Sequence, residues 1–354
     1  MIESPDDAAL DDLCRELHQR ADALDSSGHW PAEQLRLCAN AGVFRWFVPA
    51  EFGGAEWSEV DVLRGYLRLS AACLTTTFVI TQRSGACRRI VESDNAAMRE
   101  RWLPGLVDGS VFATVGISHL TTSRRHLAKP VLRAELRGDD FIFNGFSPWV
   151  TGGDAAEMIV TGGTLDDGRQ LLAALPTDEP GIAAELPARL VGLGASHTGA
   201  VRCDRVRLSP EWVLAGPVEN VMAQGKGAGT GGLQTSTLAL GLARAAIDYL
   251  AGEATKRAEL RGPAEALDAD WQAALADLLS LASGVACCST EELRARANGL
   301  ALRTTQAALT AAKGSGYVVG HPAGRWCREA LFFLVWSCPQ PVMNATLCEL
   351  AGLE

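Results

Sequence analysis

The clearest chemical signal in the sequence is a pair near its middle. Trp149 and Thr151 are separated by one residue, inside the stretch from Asp139 to Gly153. Strand side chains alternate between faces, so the two share a face. A flat indole beside a hydroxyl can wall a planar ring system and hydrogen-bond its edge. The plainer alternative is a Trp that simply fills a core. The element expected to hold the pair is a β-hairpin. Phe141 to Phe143 read as a short strand, Asn144-Gly145 as its two-residue turn, and a second strand then carries the pair.

Other candidate chemistry falls away on spacing. The 10 Cys include no Cys-x-x-Cys and no Cys/His cluster at zinc-like spacing. They read as reduced, mostly buried thiols of a cytoplasmic protein, with the adjacent Cys287 and Cys288 expected on a helix, pointing different ways. Gly225 to Gly232 is glycine-rich, but no strand precedes it and no Gly-Lys-(Ser/Thr) opens a helix there. It reads as the entry to the next helix rather than a phosphate loop.

With 354 residues, two or three domains are expected. The 47% hydrophobic and 21% charged fractions are ordinary for a globular chain, and the net charge of −10 argues against nucleic-acid or anionic-membrane partners. The acidic N-terminus lacks the apolar core of a signal peptide, and the longest apolar run, Ala330 to Trp336, is too short to span a bilayer.

Three regions emerge. Residues 1–109 read as helical: Ser4-Pro5 is a start signal, Leu10, Leu13, Leu17 and Leu24 recur at helical spacing, Trp30-Pro31 opens a second helix and Gly42 ends it. Residues 110–217 hold short β-rich runs, at 111–117, 131–136, 141–143, 157–161, 170–175 and 200–208, between Gly, Asp and Pro turns, as in a small antiparallel barrel or sandwich. Residues 218–354 return to long helices, with helices near 268–289 and 290–313 completing a four-helix bundle.

Several landmarks then appear in one order. They are Pro49-x-Glu51-Phe52-Gly53-Gly54, the helix through Trp102-Leu103-Pro104 to Gly109, Asn144-Gly145 before Trp149-x-Thr151, and Val191 to Thr198 followed by Val201 to Leu208. Next come Gly241-Leu-Ala and Arg257. Last, without a gap, are Gly314-Ser-Gly-Tyr317, Pro322, Arg325 and Arg328-Glu329-Ala330. In this series the chain resembles the acyl-CoA dehydrogenase superfamily. The resemblance implies an α+β multidomain fold: an N-terminal helical domain, a middle antiparallel β-barrel or sandwich and a C-terminal four-helix bundle. It further implies FAD, with FMN as the variant, a small-molecule substrate, and a homodimer or homotetramer in which Arg257 reaches the neighbour's cofactor. Trp149 and Thr151 would lie against the isoalloxazine, His119 at its pyrimidine edge, and Ser118 and Arg125 at the phosphate loop, where Arg124-Arg125 replace the family's Gly-Ser. Thr310 stands where an adenine-contacting Gln is common, and Gly314 begins the glycine loop beside the cofactor.

The same resemblance exposes a gap. α-Proton abstraction needs a carboxylate base. The family's usual base position is occupied by Ser337, its alternative position by Gly231, and the anchoring Arg beside the latter by Gly232. His119 and Glu329 are the nearest titratable substitutes, Glu329 standing where the family's Asp is structural. Three readings stay open: a flavin-dependent oxidoreductase whose substrate is not a standard acyl-CoA, as in the family's monooxygenases and oxidases; a true acyl-CoA dehydrogenase with an unrecognised base; and a non-catalytic structural or binding protein.

Overall fold

A computed structural model describes residues 1–121, 130–223, 232–336 and 338–353. Five helices come first: α1 (Ala8–Ser27), α2 (Ala32–Asn40), α3 (Glu59–Ala72), α4 (Leu74–Val91) and α5 (Ala96–Asp108). Strand β1 (Ala113–Gly116) and the single turn α6 (Ser118–Thr121) lead into β2 (Leu132–Arg137), β3 (Asp140–Thr151), β4 (Met158–Thr164), β5 (Gln170–Pro176), β6 (Ile182–Ala184), β7 (Thr198–Leu208) and β8 (Val213–Val218). The chain closes with α7 (Leu233–Ala254), α8 (Arg261–Ala282), α9 (Thr290–Ala312), α10 (Pro322–Ala330) and α11 (Gln340–Ala351).

Local chemistry sets the ends. α1 is capped by Asp7, whose carboxylate accepts from the Ala9 N–H at 2.9 Å. Ser4-Pro5 lies in the turn before it, so the start signal sits one short turn early. α8 begins at Arg261 rather than near 268, because Pro263 falls in its first turn, where its missing N–H costs nothing. Ser289 and Glu292 close a capping box on α9. Cys287 and Cys288 lie in the loop before that cap, not on a helix, with their sulfurs 4.0 Å apart. Among the described residues α7, α8 and α9 are the long C-terminal helices; the shorter α10 and α11 also pack on α9, and α3 packs on α7. No described helix is long and apolar enough to cross a membrane.

The sheet runs β6-β7-β3-β2-β4-β5-β8, with β1 joined to β4. It is mixed, not antiparallel throughout: β1 pairs parallel to β4, and β2 touches β4 in parallel at Arg133. The cause is connection length. β1 and β4 are separated in sequence by β2 and β3, and parallel neighbours cannot be joined by a tight turn.

The expected hairpin at Asn144-Gly145 is not there. β3 continues through it, with a register shift against β7 between Phe143 and Gly145, and the reversal is Gly138-Asp139, between Arg137 and its partner Asp140. Gly145 takes φ +130, and a Cβ there would sit 2.0 Å from the Val131 carbonyl. The glycine serves a close strand approach inside a sheet rather than a turn. A bulge follows. Ser147 faces Val201 and Val150 faces Gly199, so Pro148 and Trp149 together oppose Ala200.

Candidate functional site

A cavity of about 840 Å³ lies where the sheet meets the helices, within the size range of small-molecule and cofactor sites. α3 contributes Glu59, Val62 and Leu63; α4 contributes Phe78, Thr81, Gln82, Ser84, Gly85, Arg88 and Arg89. Val115, Ile117, Ser118 and Thr121 come from β1 and α6, Trp149 and Thr151 from the end of β3, and Thr198 from β7. Residues 190–192, 232–235, Arg328, Leu331, Phe332 and 334–336 complete the wall.

The bulge in β3 turns Trp149 out of the sheet. Its side chain is 51% exposed, whereas Thr151 is buried at 3%. Trp149 is therefore not a core residue, and the indole stands on the cavity wall. The Thr151 hydroxyl is held in a chain: its Oγ1 lies 3.0 Å from that of Thr198, which lies 2.9 Å from the Ser196 hydroxyl. β1 is tied to this corner because the Ser147 hydroxyl donates to the Gly116 carbonyl at 3.0 Å, and the Thr161 hydroxyl donates to the same carbonyl.

The far wall is the apolar run read at 330–336. It forms a 3-10 turn, Leu331–Leu334, after α10. Trp336 stacks on Phe332 at 5.0 Å, and Phe78 meets both rings edge-on. Arg294 donates to the Trp336 carbonyl at 2.8 Å and Asn298 to that of Phe333 at 2.9 Å, fixing the segment from behind. Burial pulls the Arg294 guanidinium down to about 10, so it stays charged at neutral pH. Beside this wall, Arg328 binds Asp25 through two bonds of 2.5 and 3.1 Å and donates to the Val191 carbonyl at 3.2 Å. Residue 192 is glycine because a Cβ would lie 2.8 Å from the Arg328 carbonyl.

The residues singled out from the sequence divide into three groups. Ser118, Trp149 and Thr151 line the cavity. His119 does not: its side chain is buried, with Nε2 2.8 Å from the Gly162 carbonyl, and burial lowers its pKa, so the imidazole is neutral at pH 7. The single turn of α6 puts Ser118 and His119 on different sides. Arg257, Thr310 and Gly314 gather elsewhere, at the ends of α7 and α9. There the Arg257 guanidinium reaches Glu253 at 2.6 Å and the Ala311 carbonyl at 2.8 Å, and the Thr310 hydroxyl donates to the Gln306 carbonyl at 2.8 Å. Ser337, Arg124, Arg125 and Gly231 lie outside the described residues. Glu329 is fully buried away from the cavity, paired with Arg325 at 3.2 Å and Thr75 at 3.3 Å.

Sequence reasoning passed over Glu59, Gln82, Arg88 and Arg89. The available signal was α4 itself. It is buried on nearly every face, yet carries Thr81, Gln82, Ser84, Arg88 and Arg89 among its residues. Polar groups on such a helix need partners or a cavity.

The wall fits a planar aromatic group. The Trp149 ring offers an open face, and the Ser118 hydroxyl is buried without a partner among the described residues.

Residues 6–110 match the model of the acyl-CoA dehydrogenase N-terminal domain. The chain is 24% identical over 271 residues to the probable acyl-CoA dehydrogenase YngJ of Bacillus subtilis, covering 75% of this chain and 70% of that protein. In fold it is similar to glutaryl-coenzyme A dehydrogenase in complex with glutaryl-CoA, with TM-score 0.82, 18% identity, and coverage of 98% of this chain and 95% of the other. It is also similar to KijD3 in complex with FMN and dTDP-3-amino-2,3,6-trideoxy-4-keto-3-methyl-D-glucose, with TM-score 0.76, 20% identity, and coverage of 98% and 92%.

Proposed function

From a chain that carries the acyl-CoA dehydrogenase N-terminal domain, and that fold over nearly its whole length, we propose a flavin-dependent oxidoreductase acting on a small molecule other than a standard acyl-CoA. The observation that carries the reading is the make-up of the cavity. Among its described lining residues stand an exposed Trp, buried hydroxyls and aromatic rings, and Glu59 is the one carboxylate.

A flavin bound there, FAD or FMN, would supply the two-electron redox chemistry. This chain's residues do the rest. Trp149 walls one side of the ring, and Thr151, oriented by Thr198 and Ser196, offers a fixed hydroxyl. Ser118 offers a second hydroxyl. Phe78, Phe332 and Trp336 keep water from the far wall. Arg257, Thr310 and Gly314 would serve a neighbouring copy's cofactor in a homodimer or homotetramer. Ser337 and Gly231, at the family's two base positions, have no group that takes an α-proton at neutral pH.

A second reading, a true acyl-CoA dehydrogenase, rests on Glu59, an exposed residue at the start of α3 that lines the cavity. The visible spectrum of purified protein, followed by anaerobic addition of acyl-CoAs, tests both. The first reading expects a flavin spectrum that acyl-CoAs do not bleach. The second expects bleaching, lost in Glu59→Gln. Protein that neither carries nor takes up flavin would sink both and leave a binding role.

A further inference from the structure

The cavity is not uniform along α4. At one end Phe78 packs against Phe332 and Trp336 at ring distances of 4.7 and 5.0 Å. Ten residues on, about 15 Å along the helix axis, the wall becomes Arg88 and Arg89. The charges on the wall do not balance: among its described residues three arginines stand against one carboxylate, Glu59. Arg328 is neutralised by Asp25. Arg88 stacks over the Phe47 ring at 4.7 Å and makes no ion pair among the described residues. Arg89 donates to the Gly85 carbonyl at 2.7 Å, and its Nε is buried without a partner among the described residues. Burial pulls Arg89 down to about 10, with Glu92 attracting the charge and the adjacent Arg88 repelling it, so it is cationic at neutral pH. A desolvated guanidinium with an unsatisfied N–H is costly, and an anion entering the cavity relieves that cost.

We propose that this cavity takes an amphipathic anion, with an apolar or aromatic portion against Phe78, Phe332 and Trp336 and a carboxylate or phosphate against Arg88 and Arg89. The proposal rests on the cavity being the substrate site of the oxidoreductase described above. It is tested without turnover, so its failure is distinct from failure to bind flavin.

The probe is 6-phenylhexanoate, with its neutral amide as control, titrated calorimetrically into the full chain. The acid should bind about tenfold tighter than the amide, and salt should erode that preference while leaving the amide unaffected. The doubly substituted Arg88→Gln, Arg89→Gln protein should bind both alike, at the amide's affinity. Equal affinities in the parent overturn the proposal, as does a preference that survives in the folded double variant. If the double variant does not fold, Arg88→Gln alone, on the half-exposed member, should lose part of the preference, and an unchanged preference counts against the proposal. The remaining source of the anion is the cofactor's own phosphate. A double variant that loses FMN affinity but keeps riboflavin affinity would assign the arginines to that phosphate and overturn the substrate assignment.

Discussion

Replacing Trp149 by Ala should weaken flavin binding more than it weakens the fold. The ring is 51% exposed and lines the cavity. A Trp side chain can bury up to about 250 Å², so roughly 125 Å² remains for a ligand to cover. At about 25 cal/mol per Å², covering it contributes up to ~3 kcal/mol, or about a hundredfold in affinity. That is a ceiling, because a bound ring covers only part of the open face. Trp149→Phe keeps a smaller flat surface and should lose less than about tenfold. The fold should tolerate either change to within ~1 kcal/mol, since no large core volume is removed. The assay is titration of flavin-free protein with FAD and FMN, paired with urea unfolding of each variant. Parent-like flavin affinity in a normally folded Trp149→Ala protein would refute the placement. A loss of several kcal/mol of stability would show instead that the indole is structural.

Further expectations follow from the same geometry. Dye-reduction assays across acyl-CoA chain lengths should show little turnover by the parent, and turnover appearing in Ser337→Glu would mark a pocket that kept its shape without its base; robust parental turnover would point to Glu59. Glu329→Gln should destabilise the protein by about 3 kcal/mol or more in urea, because it leaves Arg325, 3% exposed, with Asp22 as its remaining acid at 2.8 Å; an unchanged midpoint would show that Asp22 suffices. The Asp7 and Glu292 carboxylates are held below their ordinary pKa by backbone N–H donors at helix starts. Their contribution is therefore present above about pH 4 and lost as pH falls through the depressed values. Asp7→Asn and Glu292→Gln should flatten the fall in melting temperature across that window, and an unaltered acid profile would count against it.

Much of the architecture was legible because it rests on local rules. Leu10, Leu13, Leu17 and Leu24 are all buried along α1, as their helical spacing requires. The β-rich runs at 131–136, 157–161, 170–175 and 200–208 fall within β2, β4, β5 and β7 or within a residue of them. The short β6 and β8 fall outside those runs. β6 has three residues and a mostly exposed pattern, and β8 is broken by Gly216-Pro217, so neither shows an alternating signature.

The candidate site divides along the same line. That Trp149 and Thr151 belong together follows from their separation in sequence. That the Trp faces a cavity follows from a bulge, which exists only because β3 pairs with β7 in a particular register. The identical Asn-Gly signal makes a turn in one context and a continuous, closely packed strand in another, and the Val131 carbonyl beside Gly145 decides which. His119 and Ser118 are neighbours in sequence, yet one turn of helix sends the first into the interior and the second to the cavity. Glu59, Arg88, Trp149 and Arg328 share a wall although they come from all three regions of the chain. Propensity, capping and periodicity act over a few residues, so the sequence alone marks most of the helices and strands. Which side chains meet in one cavity is decided by long-range packing, where burial and close approach outweigh any local preference.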